Sequence, residues 1–277
     1  IDHLHKILSS LKMPFEIIVV NDGSSDGTRQ KAESSNKVRV INQPVNSGYG
    51  RAIKTGIDAS CHSCIGIVDA DGTYGIDQLP LLVKKMEEGF DMAVLSRKNI
   101  LKMDKPLKRF FRRILILFIN LFISAKIEDP NSGFRVFRKE LVMIFYPFLC
   151  NTFSFTTSIT IFAMGEGYFV SFVPGEFFER KGKSKVRHFR DSLRMIQLIF
   201  QGITYFNPVK FFLILVLMLI FCVGFPAVII SAYGWNNLAN YFVIIGTASI
   251  LLIGLGVTVD ILRISYTSKI DKKNLLS

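Results

Sequence analysis

Glu16-Ile-Ile-Val-Val-Asn-Asp-Gly-Ser-Ser-Asp-Gly-Thr28 holds the first strong fold signal of the chain. Its first six residues form an apolar run that is typical of a buried parallel strand. A loop of turn-forming residues begins at Asp22, and a helix is predicted over about 27–35. The stretch therefore predicts a strand, a tight loop and a helix, with Asp22 at the carboxyl end of the strand.

The same alternation continues towards the middle of the chain. The further predicted elements are strands at 38–42, 64–68 and 92–95 and helices at 49–60 and 76–88. Strands that alternate with helices predict an α/β fold with a mostly parallel sheet and right-handed crossovers. Ligands of such sheets bind at the carboxyl ends of the strands, where Asp22, Asp69 and Arg97 all fall.

The C-terminal part of the chain is strongly apolar. Hydrophobic residues make up 49% of the sequence and the mean hydropathy is +0.35, which is high for a soluble enzyme. The uncharged runs 211–230 and 241–259 are each long enough to cross a hydrocarbon core of ~30 Å as a helix. They predict a transmembrane hairpin with helices at about 209–232 and 240–264. The alternative is a pair of buried core helices.

These signals predict two domains. Residues 1–200 would form the α/β domain, and residues 201–277 would form the hairpin and a short basic tail. Gly254 and Gly256 would permit close approach of a second helix, so a homo-oligomer through the membrane helices is a further expectation. The chain begins with Ile1 rather than Met, and we expect further residues before it.

Positive charge is concentrated in blocks. The formal net charge is +12, and segments 97–113 and 180–194 hold eight and seven Lys or Arg residues against one Asp each. The second block precedes the first apolar helix and basic residues at 263–273 follow the second, whereas the loop between them has none. The positive-inside rule therefore predicts an integral membrane protein with its α/β domain on the cytoplasmic side. Anionic lipid or phosphorylated substrates are favoured as partners over nucleic acid.

Segment 105–125 combines basic and apolar residues at helical spacing. Basic residues recur on one side, namely Lys105, Lys108, Arg109 and Arg112, and aromatic and aliphatic residues recur on the other. The apolar run after Arg113 is about a dozen residues long, too short to span a bilayer. The pattern predicts an amphipathic helix in the membrane interface. The alternative is an amphipathic helix packed on the sheet.

Asp69 and Asp71 follow the strand predicted at 64–68. Two carboxylates at this spacing can face one cation, and Mg²⁺ or Mn²⁺ takes oxygen ligands and bridges to substrate phosphates. A metal ion there would offset the charge that develops on a nucleotide-diphosphate leaving group. Taken alone, the pair also fits a solvated turn. Asp22 likewise fits either a nucleotide contact or an Asx turn, and Asp26 fits the turn well.

The sequence resembles known enzymes in five motifs that occur in the same order. Residues 19–28, 46–56 and 69–73 resemble family 2 glycosyltransferases with a GT-A fold. Residues 129–135 and 180–185 resemble the narrower dolichol-phosphate mannosyltransferase group, which includes the bacterial polyprenyl-phosphate glycosyltransferases. Five motifs in one order are far more specific than any one of them.

The resemblance implies an inverting, metal-dependent transfer of a sugar from a UDP- or GDP-sugar to dolichyl or undecaprenyl phosphate. It implies that Asp69 and Asp71 bind Mg²⁺ or Mn²⁺ and that Asp22 and Asp69 contact the nucleotide. Asp69, Asp71 and Arg180 would be the catalytic residues. The residues implied at the acceptor phosphate are Arg97, Arg112, Arg180, Ser184 and Lys185. Arg135 is a further candidate that could instead brace the fold.

Elementary chemistry agrees with these roles. The nucleophile is a phosphate oxygen that is already anionic at neutral pH, so no strong general base is required. Cations must hold two anionic substrates together against their mutual repulsion. Arginine, lysine and a divalent metal therefore suit the reaction.

The chain departs from the family pattern at several positions. The resemblance implies a strand and a Pro-x-Tyr/Phe-Asn-Glu segment ahead of Ile1. Thr73 stands where close relatives often carry Gln, and Ile116 stands where some carry Ser. Thr156 and Thr157 stand where many relatives carry Glu.

These departures keep alternative functions open. The main one is a non-catalytic membrane protein that uses a decayed transferase domain for binding or assembly. A processive polysaccharide synthase is disfavoured, because such enzymes carry Gln-x-x-Arg-Trp and the only tryptophan, Trp235, lies between the apolar helices. A lipid- or nucleic-acid-binding module ranks last.

Overall fold

The computed structural model describes residues 1–98, 126–152, 154–178, 207–232 and 238–274, and positions 106, 109, 110, 113, 116, 117, 119 and 120. The chain divides into two compact units, Ile1–Ile199 and Phe200–Ser277.

The first unit is built from short strands that alternate with helices. The strands are β1 (Ile18–Asn21), β2 (Arg39–Asn42), β3 (Cys64–Ile67), β4 (Met92–Arg97), β5 (Arg135–Arg138) and β6 (Val170–Gly175). The helices are α1 (Asp2–Ser10), α2 (Thr28–Glu33), α3 (Tyr49–Ala59), α4 (Leu79–Glu87), α5 (Lys139–Phe145) and α6 (Phe155–Gly165). Every strand and helix that the sequence predicts up to residue 95 is present, with boundaries displaced by a few residues.

The strands form two sheets in the described part of the chain. β1 pairs with β2 in parallel, and a four-stranded sheet has the order β3-β5-β4-β6. β4 and β6 are parallel, but β5 runs antiparallel to both of its neighbours. The α/β prediction is confirmed. The expectation of a mostly parallel sheet holds for β3, β4 and β6, which point the same way in the four-stranded sheet. The antiparallel β5 was not predicted from the sequence.

The register of β5 brings two distant loops together. Ile67 of β3 pairs with Arg135 of β5. Because the two strands are antiparallel, the residues that follow β3 lie beside the residues that precede β5. Asp69 and Gly133 are each two residues beyond this pair, so the sheet itself carries them to one place.

The core of this unit lies on both faces of the four-stranded sheet. One face packs on α4 through a buried cluster: Tyr74, Leu79, Leu82, Met86, Ala93, Leu95, Phe134 and Val136. α6 is buried along residues 155–163, and on the other face it contacts Arg135 of β5. Close packing on both faces fixes the positions of β4 and β5, and the site loops begin at the ends of these strands.

The second unit consists of long apolar helices. They are α7 (Pro208–Leu219), α8 (Phe225–Ala232) and α9 (Leu238–Asn274), and a π-helical segment, Ile220–Gly224, joins α7 to α8. Pro226 has no N–H to donate to the carbonyl of Cys222, which explains a local departure from α-helical geometry next to it.

Two spans in this unit, Pro208–Ile229 and Asn240–Leu262, have mean hydropathies of 3.0 and 2.4 and are only 11% buried. They are long and apolar enough to cross a membrane, so both predicted helices are confirmed as candidate spans. Their exposure opposes the alternative of buried core helices. A Cβ added to Gly256 would lie 3.1 Å from the Phe212 side chain, so this glycine permits close helix packing within one chain. A homo-oligomer through the helices stays a prediction.

Segment 105–125 is described at eight positions between 106 and 120, and all eight are helical. Phe110 and Leu117 are 57% and 72% exposed, whereas Ile119 is buried. Apolar side chains therefore face outward as well as inward. A location in the membrane interface stays a prediction.

Candidate active site

The carboxylate pair lies on the loop that follows β3, as the sequence predicts. Oδ1 of Asp71 accepts two hydrogen bonds from Thr73, one from the backbone N–H at 3.1 Å and one from the hydroxyl at 2.6 Å. Thr73 is 3% exposed, so its side chain is fixed by packing. The orientation of the Asp71 carboxylate is therefore set by its own loop.

Asp69 lies against the loop that precedes β5. A Cβ added to Gly133 would lie 2.5 Å from Oδ2 of Asp69 and 2.9 Å from its Cγ. Only glycine leaves room for the carboxylate at this point. On another side, the Tyr49 hydroxyl hydrogen bonds to Asp69. Burial, followed by the charge of Asp69, raises the pKa of Tyr49 well above its ordinary value, so the hydroxyl is protonated and acts as the donor.

Tyr74 holds the Gly133 loop in place. Its hydroxyl accepts a hydrogen bond from the Gly133 N–H at 2.7 Å. Its ring packs edge-on against the rings of Phe134 and Phe177, with centroids 5.9 and 5.2 Å away. The backbone that contacts Asp69 is thus tied to the buried cluster under the sheet.

Asp22 holds the loop that leads into α3. Its Oδ1 accepts the N–H of Ser47 at 2.7 Å and its Oδ2 accepts the N–H of Gly48 at 2.9 Å. Gly48 has a φ of 102°, a conformation that favours glycine, and Tyr49 follows it as the first residue of α3. Asp22 therefore fixes the start of α3 from the end of β1, and the Tyr49 hydroxyl links that start to Asp69 after β3. A nucleotide contact of Asp22 stays a prediction.

Asp26 forms the Asx turn that its sequence context indicates. Its Oδ1 accepts hydrogen bonds from the backbone N–H and the hydroxyl of Thr28, at 3.2 and 2.5 Å. This arrangement is an Asx turn just before α2.

Arg97 ends β4 and forms an ion pair with Asp129. Its Nε and Nη2 lie 2.7 Å from Oδ2 and Oδ1 of the carboxylate. The Arg97 guanidinium also lies 5.2 Å from the centre of the Phe177 ring. The sequence missed Asp129 as a partner. The predicted contact of Arg97 with the acceptor phosphate is not tested by this pairing and stays a prediction.

Arg135 is fully buried and braces the same region. Its guanidinium donates to the carbonyl oxygens of Pro130, Ser132 and Thr156, at 3.1, 2.5 and 2.9 Å. Burial lowers the pKa of Arg135 to about 10, which still leaves it charged at neutral pH. Of the two roles that the sequence allows for Arg135, the geometry favours bracing of the fold.

The other predicted site residues, Arg112, Arg180, Ser184 and Lys185, lie outside the described residues. Tyr49 and Tyr74 also belong to this site, and neither was predicted from the sequence. The only signal for Tyr49 was its position between two glycines in the 46–56 motif.

The pair Asp69 and Asp71 fits a metal site in which a substrate supplies some of the remaining ligands. Among the described residues, no group of three or more His, Cys, Asp or Glu side chains could hold a metal ion. Mg²⁺ is commonly bound by one or two carboxylates together with water and substrate phosphates. Two carboxylates with fixed orientations meet that requirement without a third protein ligand.

Residues 2–144, which are more than half of the chain, match the sequence model of glycosyl transferase family 2. The chain belongs to this family. The family 2 domain therefore includes the loop after β1, the start of α3, the carboxylate pair and the loop before β5. The resemblance inferred from the sequence is confirmed.

Several relatives of this family 2 chain carry a polyprenyl phosphate in their names. A dolichyl-phosphate beta-glucosyltransferase of Trichomonas vaginalis is 33% identical over 146 residues, which cover 48% of this chain and 43% of that protein. An undecaprenyl-phosphate 4-deoxy-4-formamido-L-arabinose transferase of Yersinia enterocolitica is 29% identical over 166 residues, or 54% and 50% of the two chains. The chain spans about half the length of the curated relatives it matches.

The fold also matches solved structures of another protein. Glucosyl-3-phosphoglycerate synthase of Mycobacterium tuberculosis, crystallised with Mn²⁺, UDP-glucose and phosphoglyceric acid, superimposes with a TM-score of 0.56 at 18% identity. The match covers 72% of this chain and 74% of that one. At this identity the likeness establishes the fold alone, and it supports the predicted GT-A architecture.

Proposed function

We propose that the protein is a membrane-anchored glycosyltransferase that moves a sugar from a nucleotide diphosphate to polyprenyl phosphate. The observation that carries the proposal is the carboxylate pair after β3, held in fixed orientations inside a family 2 domain. Relatives named for dolichyl-phosphate and undecaprenyl-phosphate acceptors support the choice of acceptor.

In the proposed reaction, the bond between the anomeric carbon and the diphosphate breaks, and its electron pair leaves with the nucleotide diphosphate. An oxygen of the lipid phosphate forms the new bond on the opposite face of the sugar, which inverts the anomeric carbon. Asp69 and Asp71 would hold Mg²⁺ or Mn²⁺, which neutralises charge on the leaving diphosphate. Asp22 would lie beside the nucleotide.

The basic residues supply the remaining charge. Arg97, Arg112, Arg180, Ser184 and Lys185 are the proposed ligands of the acceptor phosphate. Their positive charges would offset the repulsion between two anionic substrates, and they would hold the nucleophile near the anomeric carbon. The acceptor phosphate is already ionised, so no side chain has to remove a proton from it.

The apolar spans of the second unit would anchor the enzyme in the membrane. The lipid tail of the acceptor would remain in the bilayer while its phosphate reaches the catalytic domain. The basic residues that flank the spans favour a cytoplasmic location for that domain.

A labelled-donor assay tests the proposal. Membranes that contain the full-length protein would receive polyprenyl phosphate, Mn²⁺ or Mg²⁺, and a panel of labelled UDP- and GDP-sugars. We expect label from one donor in the organic-solvent extract, its loss in Asp71→Asn, and its retention in the control Asp77→Asn, whose exposed carboxylate pairs with His3. No transfer from any donor would contradict the proposal and favour a non-catalytic binding role.

A further inference from the structure

We infer that two hydroxyl groups, those of Tyr49 and Thr73, are the positioning groups that orient Asp69 and Asp71 for a divalent metal ion. The inference rests on the proposed function, because it assigns the pair to a metal. Neither residue emerged from the sequence as a site residue. Both act through a carboxylate rather than on a substrate.

The position of the Tyr49 hydroxyl is set by the backbone around it. Asp22 binds the N–H groups of the two residues before Tyr49. A Cβ at Gly48 would lie 2.7 Å from the carbonyl oxygen of Asn151, so the first turn of α3 lies directly against that segment. The phenol therefore reaches Asp69 from a fixed base, on the first residue of an eleven-residue helix.

Asp69 is confined on a second side. The Gly133 backbone fills the space next to its carboxylate, and that backbone is fixed by the hydrogen bond to Tyr74. Tyr49 and Gly133 together leave the carboxylate few orientations. Removal of the Tyr49 hydroxyl would release one of these two restraints and leave the packing of the ring in place.

The Thr73 hydroxyl fixes Asp71 in a corresponding way. It lies 2.6 Å from Oδ1 of Asp71 and belongs to a buried side chain, so it cannot rotate into solvent. The backbone N–H of Thr73 shares the same acceptor at 3.1 Å. Two donors on Oδ1 restrain the rotation of the Asp71 carboxylate.

Hydrogen-bond partners of metal ligands contribute strongly to metal affinity. They hold each ligand in its binding geometry before the metal arrives, and their loss typically weakens metal binding or activity by about 10–100-fold. Among the described residues no third His, Cys, Asp or Glu joins the two carboxylates, so their orientation matters more to metal binding than it would in a complete protein cage.

The test is a measurement of Mn²⁺ affinity that does not require turnover. The full-length protein, purified in detergent, would be titrated with Mn²⁺ in the presence of UDP or GDP, and free Mn²⁺ would be followed by electron paramagnetic resonance. We expect Tyr49→Phe and Thr73→Val each to weaken Mn²⁺ binding by roughly tenfold or more. Thr73→Ser keeps a hydroxyl and is expected to restore wild-type affinity.

Tyr146→Phe is the matched control. The Tyr146 hydroxyl donates to Oδ2 of Asp58 at 2.6 Å, so this variant deletes the same kind of hydrogen bond away from the carboxylate pair. It is expected to leave Mn²⁺ affinity unchanged. If Tyr49→Phe does not fold, the comparison of Thr73→Val with Thr73→Ser decides the matter, because valine has the shape of threonine without the hydroxyl.

The possible outcomes separate the inference from the function. Tight nucleotide-dependent Mn²⁺ binding that is equal in wild type, Tyr49→Phe and Thr73→Val would overturn the positioning roles and leave the metal site intact. Absence of Mn²⁺ binding by the wild type with either nucleotide would overturn the metal assignment, and the inference with it.

Discussion

Arg97 and Asp129 form a two-point ion pair in which the side chains are only 10% and 4% exposed. The pair joins the last residue of β4 to the first residue of the Asp129-Pro-Asn-Ser-Gly-Phe-Arg135 motif. That motif also supplies Gly133, which contacts Asp69, and Arg135, which is buried below. The ion pair therefore locks the loop that shapes one side of the carboxylate pair.

Loss of Arg97 is expected to destabilise the protein. Arg97→Ala would leave the buried Asp129 carboxylate without its cation, and breaking such a pair typically costs about 3–5 kcal/mol. The double variant Arg97→Met, Asp129→Leu should cost less, since it removes both charges. Urea unfolding of the detergent-solubilised protein, followed by circular dichroism, measures this. A single variant as stable as the wild type would contradict the assignment.

Gly133→Ala is expected to impair the site directly. The added methyl group would lie 2.5 Å from Oδ2 of Asp69, so the carboxylate or the loop must move. We expect the Mn²⁺ affinity and the turnover to fall by roughly tenfold or more, as for loss of a ligand's support. Gly27→Ala is the control, because a Cβ at Gly27 meets nothing within 4 Å. Equal activity of the two variants would show that Asp69 does not need this space.

Arg135→Met should reduce stability rather than alter the reaction. It removes the Arg135 donor from the buried carbonyl oxygens of Pro130 and Ser132, and each such loss costs about 1–3 kcal/mol, whereas the Thr156 oxygen keeps the Thr160 hydroxyl. Arg138→Met is the control, because Arg138 is 48% exposed and its nitrogen lies 3.7 Å from Asp91. An exposed pair of this kind contributes about 1 kcal/mol or less. The unfolding free energies of the two variants should differ accordingly, and similar values would contradict the bracing role.

Arg180→Ala tests the acceptor assignment that the motif resemblance implies. An arginine that binds a phosphate forms charge-assisted hydrogen bonds, so its loss should raise the KM for polyprenyl phosphate more than the KM for the donor. Initial rates measured against each substrate in turn give the two values. If only the donor KM rises, Arg180 belongs to the nucleotide site instead.

Local patterns were sufficient to predict the elements from β1 to β4 and the two apolar spans, but they did not predict α1 (Asp2–Ser10). β5 was not predicted, because four residues with Arg135 and Arg138 at their ends do not present an apolar run. The buried Arg135 is stabilised by carbonyl groups of its own loop and of Thr156 in α6, and the last contact depends on tertiary packing that no local pattern reveals. α6 was missed as well, because its buried face includes Thr156, Thr157 and Thr160.

The sequence predicted the carboxylates of the candidate site and allowed a bracing role for Arg135, but it did not indicate the contacts that these residues make. Asp69 and Asp71 are neighbours in the sequence, and the strand before them indicates where they lie. Asp71 is oriented within its own loop by Thr73. The contacts that orient Asp69 instead join residues far apart along the chain: Tyr49 with Asp69, and Tyr74 with Gly133. Such pairs depend on the register of β3 and β5 and on the start of α3, which the sequence alone did not specify.

Mass spectrometry of the lipid product tests the proposed reaction most directly. Full-length protein in membranes would be supplied with polyprenyl phosphate, a divalent metal and the donor that gives extractable label. Transfer of the sugar alone predicts a product with one sugar and one phosphate per lipid, formed together with nucleoside diphosphate and absent in Asp71→Asn. A lipid with two phosphates, or release of nucleoside monophosphate, would show transfer of a sugar phosphate and would contradict the proposed reaction.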